Sequence, residues 1–214
     1  MYLFNLEEFL NILGSYNLKI WPLQIVVFLF GLVAVVFAFR KTKSSGKVIL
    51  AILSLLWLWN GAVFCLLFWS TIYKLAYIFA ALFVIQGALL ILALLRSDIV
   101  ISFHPDWKSV IGIILIIYSM AGYQIFGYFL GHIYPNFFAF GLVPCPTTIF
   151  TIGLFMMTYG KIPGYYLIIP VIVSTGGFMV IPMGILEDIG LILAGIFGIV
   201  LILRKDKREN KLKI

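Results

Sequence analysis

Charge is scarce in this chain: 11% of its 214 residues are Asp, Glu, Lys or Arg, against 64% that are hydrophobic. A soluble domain carries about a quarter charged residues, so this balance excludes an ordinary water-soluble fold. Cysteine and histidine are also sparse, at two each. Two cysteines cannot build a disulfide framework, and cannot complete a zinc site by themselves. The common enzyme signatures are missing: there is no Gly-x-Ser-x-Gly, no His-Glu-x-x-His, no P-loop and no Gly-x-Gly-x-x-Gly opening a helix. Nothing therefore points to catalysis, and no motif names a cofactor. A basic leader is lacking too. The N-terminus is acidic and the first apolar run is a full span without a small-residue cleavage site, so no cleavable signal peptide is expected.

What the chain does have is a series of apolar runs of about 20 residues, enough to cross a hydrocarbon core about 30 Å thick. Spans are predicted over 20–39, 48–69, 75–95, 110–130, 137–159, 164–181 and 183–203, followed by a basic tail at 204–214. Each must be helical, because lipid offers no partners to free amide and carbonyl groups. The expected fold is an all-α integral membrane protein. It is a bundle of about seven transmembrane helices with a short N-terminal interfacial helix and a broken or re-entrant fifth segment. One membrane domain accounts for residues 1–203.

Lysine and arginine orient the bundle. With the N-terminus outside, the inner face holds Arg40, Lys41, Lys43, Lys47, Arg96, Lys108, Lys161 and the tail residues Arg204, Lys205, Lys207, Arg208, Lys211 and Lys213. The outer face holds Lys19 and Lys74, which makes 13 against 2. Such asymmetry over short loops predicts an outer N-terminus and a cytoplasmic tail. It also disposes of a nucleic-acid reading of the net charge of +7, since little basic surface is left for phosphates. The expected partners are the lipid bilayer and a small ion or solute, with no nucleic acid.

Residues 5–13 read as a short amphipathic helix. Asn5 and Glu8 form a capping-box-like start, Gly14 a stop, and Leu6, Phe9, Leu10 and Leu13 share one face. It is expected to lie flat on the outer surface. In the stretch 96–109, Pro105-Asp106 marks a helix start with Asp106 near the N-cap. His104 lies there and is assigned no role. No internal repeat supports an inverted-repeat transporter.

The chemistry is expected at the outer end of the second half. Gly131-His132-Ile133-Tyr134-Pro135, Phe140-Gly141 and Pro144-Cys145-Pro146-Thr147-Thr148 are rich in proline and polar groups. The 13 residues 147–159 are too short to span as a straight helix. A half-helix capped by Thr147 or Thr148 is predicted, its N-terminus favouring an anion or polar ligand. In the last span Glu187 and Asp188 are drawn to the hydrocarbon boundary, where carboxylates face a cavity or a partner. His132, Cys145, Thr147, Thr148, Glu187 and Asp188 thus fall on one face of the membrane. They fit a proton or solute pathway, or a metal or redox site with His132 and Cys145 as ligands. A buried cluster in a non-catalytic assembly or sensor subunit fits them as well. The two histidines fall on opposite sides, which argues against a bis-histidine haem. Asn60, Gln86 and Gln124 lie at mid-depth and either pair helices or extend the pathway inward. A Cys65–Cys145 disulfide is conceivable if both thiols reach one oxidising surface.

Tyr16-Asn17 before Trp21-Pro22, Gly131-His132 before Tyr134-Pro135, Pro144-Cys145-Pro146-Thr147-Thr148, and Glu187-Asp188 before Gly190-Leu191 together resemble a prokaryotic family of multi-pass membrane proteins. That family is a domain of unknown function. The resemblance covers nearly the whole chain, and its most specific part is the Pro-Cys-Pro-Thr run. It implies a location in the plasma (inner) membrane and supplies no substrate or cofactor.

Overall fold

The computed structural model describes residues 5–96, 99–159 and 162–203, and the side chain of Lys43 is not among what it describes. Lys161 and the tail 204–214 lie outside those residues. Helix α1 covers Leu6–Lys19, α2 Leu23–Ala38, α3 Lys43–Trp59, α4 Ala76–Arg96, α5 Trp107–Ile117, α6 Tyr123–Phe129, α7 Pro144–Met156, α8 Tyr165–Ser174, α9 Gly177–Val180 and α10 Ile189–Leu203. Strands β1 (Val100–Ile101) and β2 (Thr158–Tyr159) form one short antiparallel pair, and the rest of the described regular structure is helical. This is an all-α bundle.

Among the described residues, five helical stretches are long and apolar enough to cross a membrane: Ser44–Thr71, Ala76–Arg96, Trp107–Phe129, Tyr165–Met183 and Leu186–Leu203. Two of them pass through wider π-helical turns, Asn60–Phe68 after α3 and Tyr118–Gly122 between α5 and α6. Helix α2 joins α1 at an angle of 86°. The outward surface is apolar, with Phe129 78% and Leu95 73% exposed, a patterning that water would punish and lipid accepts. Membership of a membrane therefore follows from length and composition together.

Helix α1 runs on past Gly14, which is an interior position and not a stop. A side chain at Gly14 would clash with Asn136, so the glycine serves close packing against the 135–136 turn. The start is as expected: the Asn5 side chain accepts from the Glu7 amide at 3.0 Å. Phe9, Leu13, Tyr16 and Asn17 are buried while Glu7, Glu8 and Asn11 are exposed. The apolar face thus covers the end of the bundle. Asn17 clamps the connecting loop, donating to the carbonyls of Pro135 at 2.6 Å and Phe137 at 2.7 Å. The Tyr16 hydroxyl donates to Leu142 O at 2.9 Å and accepts from Trp59 Nε1 at 2.7 Å.

Helix α7 lies at the centre of the bundle, packed by α3, α5, α8 and α10. All its residues are buried except the half-buried Cys145. Glycines let it approach α5 backbone to backbone: a Cβ on Gly112 would meet Gly153 O at 2.6 Å, and one on Gly153 would meet Gly112 O at 3.0 Å. Its start follows the loop held by Tyr16 in α1, whereas its far end leads into β2, which pairs with β1 beyond α4. The fifth passage is therefore broken, a loop leading into a short helix, and it runs from one end of the bundle to the other. At 13 residues, α7 supplies about 20 Å of that path.

Candidate functional site

The loop 131–143, the π-helical turn before α6, the start of α7 and the start of α10 converge at the α1 end. The approach to α10 is bent. Pro182 lies in a tight turn over Ile181–Met183, and Gly184 follows at φ +109°, a conformation that favours glycine. A single turn over Leu186–Asp188 then leads into α10. Glu187 and Asp188 thereby sit at the N-terminus of a 15-residue helix, where the helix dipole favours negative charge.

Both carboxylates are fully buried, and each has its own set of partners. Glu187 Oε1 lies 2.5 Å from His132 Nδ1, while its Oε2 meets no protein donor. The Glu187 carbonyl accepts from the Tyr118 hydroxyl at 2.6 Å. Asp188 Oδ1 accepts from the Tyr123 hydroxyl, and its Oδ2 from the Cys145 thiol at 3.3 Å. Phe138 packs edge-on against the rings of both His132 and Tyr123. Space here is tight: a Cβ on Gly127 would come within 2.7 Å of Glu187 Oε1. One on Gly190 would clash with the Tyr118 ring.

Beside this centre is a pocket of about 60 Å³, walled by Trp69, Tyr73, Phe79 and Leu191 and bordered by Cys145 and Asp188. The Trp69 ring lies 5.5 Å from that of Tyr73 and 5.2 Å from that of Phe79, so one wall is continuously aromatic. Tyr73 lies between the spans, and burial raises its phenol above the ordinary value.

The expected cap of α7 takes a different form. Pro144 and Pro146 stand in the first turn and carry no N–H, so little remains there for a side chain or anion to satisfy. The threonines turn backward instead. Thr147 donates to Val143 O at 2.7 Å, Thr148 to Pro144 O at 2.9 Å and Thr151 to Thr147 O at 2.8 Å. With a carboxylate next to Cys145, this helix start disfavours an anion.

His132, Cys145, Glu187 and Asp188 meet in one centre, and Tyr118 and Tyr123 join them. Thr147 belongs to a second network: Asn60 Nδ2 donates to Gly141 O at 2.9 Å and approaches Thr147 Oγ1 at 3.2 Å. Trp57 extends that network by donating to Thr151 Oγ1 at 2.8 Å. Gln86 stands apart, tying α4 to Tyr166 O at 2.9 Å. Gln124 donates to Phe138 O at 3.1 Å. Cys65 and Cys145 are both free thiols, so no disulfide joins them. Among the described residues no three or more His, Cys, Asp or Glu side chains are grouped to hold a metal ion. His132 and Cys145 engage different carboxylates.

Residues 6–213 match the model of a protein family described as a family of unknown function, DUF6064. No curated protein and no solved structure matches the chain.

Proposed function

The chain belongs to DUF6064, and because that family carries no assigned activity we propose one from the chemistry of the site: proton-coupled movement of a small cation across the membrane. One observation carries this reading. Asp188 is wholly buried at the edge of a pocket, and its two oxygens accept only from uncharged donors, the Tyr123 hydroxyl and the Cys145 thiol. A buried carboxylate without a counter-ion is costly, so it favours either a proton or a bound cation. Exchange between those two partners is the elementary step of proton-coupled transport.

The neighbouring groups divide the work. His132 Nδ1 lies against Glu187 Oε1 and gives that carboxylate a partner, which leaves Asp188, with only a hydroxyl and a thiol at its oxygens, as the carboxylate with an open electrostatic demand. Tyr123 and Cys145 hold the Asp188 oxygens in place. Trp69, Tyr73 and Phe79 supply the aromatic faces that attract cations in a desolvated pocket. The asymmetry of lysine and arginine favours an orientation with this end outside, in which the pocket would load from the external face.

The test uses the full chain in liposomes holding a pH-sensitive dye. Sodium, potassium, ammonium and tetramethylammonium are added outside in turn. At least one should drive proton flux in the wild type, and Asp188→Asn should abolish it while eluting as a monodisperse species. Absence of flux with every cation, or normal flux in Asp188→Asn, would overturn the reading.

A further inference from the structure

Beside α6 and the first turns of α2 is a second cavity of about 290 Å³. Its walls include Ile25, Phe28, Phe137 and Phe140, and two glutamines, Gln24 and Gln124, supply the polar groups. Ile25 and Phe28 are 51% and 39% exposed on the apolar outer surface of α2, so the mouth opens toward lipid.

The two amides are fixed in orientation. Gln24 Nε2 donates to Asn17 O at 2.7 Å, and Gln124 Nε2 to Phe138 O at 3.1 Å. Gln124 Nε2 also donates to Ser119 O at 3.4 Å, so both its N–H groups are used, while Gln24 has one N–H to spare; both carbonyl oxygens, Gln24 Oε1 and Gln124 Oε1, are buried without a protein donor among the described residues. Such orphaned acceptors cost free energy until a donor arrives. The occupant must supply that donor. No charged side chain lines the cavity, and an ammonium group would bring a charge that nothing there balances. A hydroxyl meets the requirement at no electrostatic cost.

We propose that this cavity is a binding site for a lipid-like alcohol, which enters from the bilayer with its one hydroxyl proton donated to the oxygen of Gln24 or Gln124 and its chain lying along Phe28, Phe137 and Phe140. The volume stands at the low end of small-molecule sites, which start at about 300 Å³, and suits a polar head with the first part of a chain. Gln24 lies in the first turn of α2, just after the bend that joins it to α1. The site is independent of Asp188 and stands whether or not the protein moves cations.

The test places the full chain in phosphatidylcholine nanodiscs, whose lipid has no hydroxyl donor. The probes are a diazirine-bearing hexadecanol and its methyl ether, identical but for the O–H. The alcohol should label residues 25–28 and 137–140 roughly five-fold more than the ether, the worth of one neutral hydrogen bond. Unlabelled hexadecanol should compete that excess away. Gln24→Leu/Gln124→Leu should lose it, and so should Phe28→Trp, which fills the cavity and leaves both amides intact. Equal labelling by alcohol and ether, labelling elsewhere, or an excess that survives Phe28→Trp would overturn the proposal. Should the double glutamine variant fail to fold, the ether comparison and Phe28→Trp decide the matter.

Discussion

Replacing His132 by alanine should be among the most damaging single changes in the molecule. Glu187 is fully buried, its Oε1 is paired with His132 at 2.5 Å, and its Oε2 has no protein donor. Without the imidazole a carboxylate remains in an apolar interior with only the helix dipole to support it. Breaking a buried pair from one side costs about 3–5 kcal/mol. For a chain of this size that converts to a fall of roughly 6–20 °C in the melting temperature. The assay is thermal unfolding of the detergent-solubilised protein, followed by helical circular dichroism. Glu187→Gln in the His132→Ala background removes the stranded charge, so the double variant should melt above His132→Ala alone. A His132→Ala variant that melts with the wild type, or a double variant whose loss is the sum of the two single losses, would refute the reasoning.

Gly127→Ala should lower the melting temperature although it adds only a methyl group, because the new Cβ would stand 2.7 Å from Glu187 Oε1; the overpacking penalty is about 1–3 kcal/mol. Tyr123→Phe removes a buried donor to Asp188 and should cost about 1–3 kcal/mol in the same assay, and on the transport reading it should also slow proton flux in liposomes. Asp106 accepts from the Ser109 amide at 2.9 Å, so Asp106→Ala should cost about 1 kcal/mol as a lost helix cap. Burial works to raise the Asp106 carboxyl, but hydrogen bonds from Ser109 and the nearby His104 and Lys108 outweigh it and hold it below the usual range. Its stabilisation is therefore present above the unfolded-state value and lost as pH falls through the lower folded one. The gap between wild type and Asp106→Ala should close in acid.

The bundle was legible in the sequence because a 20-residue apolar run has few other fates, and because prolines and a short segment mark the irregular fifth passage. Asp106 declared its cap by spacing alone. Where several meanings shared one residue, the sequence could not choose. Gly14 had the composition of a helix stop, yet it serves close packing against Asn136, a contact 122 residues distant in the chain. Thr147 and Thr148 suited an N-cap, but two neighbouring prolines had already removed the amides they would have served. His132, Cys145, Glu187 and Asp188 were placed at one end of the bundle by topology, though which of them touch depends on the bend at Gly184. Tyr118 and Tyr123 were overlooked because tyrosine within a span is commonly packing or belt. Only the hydrogen bonds of their hydroxyls to Glu187 and Asp188 set them apart.

The enclosure of α7 bears on how the chain is made. A helix that touches lipid can wait in the bilayer for its neighbours, but α7 has no such side. The walls of its berth, α3, α5, α8 and α10, include two that the ribosome delivers after it. The nascent chain must therefore deliver α7 with only the α3 and α5 walls of its berth already made, while Thr147, Thr148 and Thr151 spend their hydroxyls on the local backbone. Its enclosure is completed only when α10 arrives, the same helix that brings Glu187 and Asp188 to His132 and Cys145. Assembly of the bundle and assembly of the acidic centre are thus one closing event. A chain stopped short of α10 would be an unfinished substrate for membrane quality control, with its central helix uncovered.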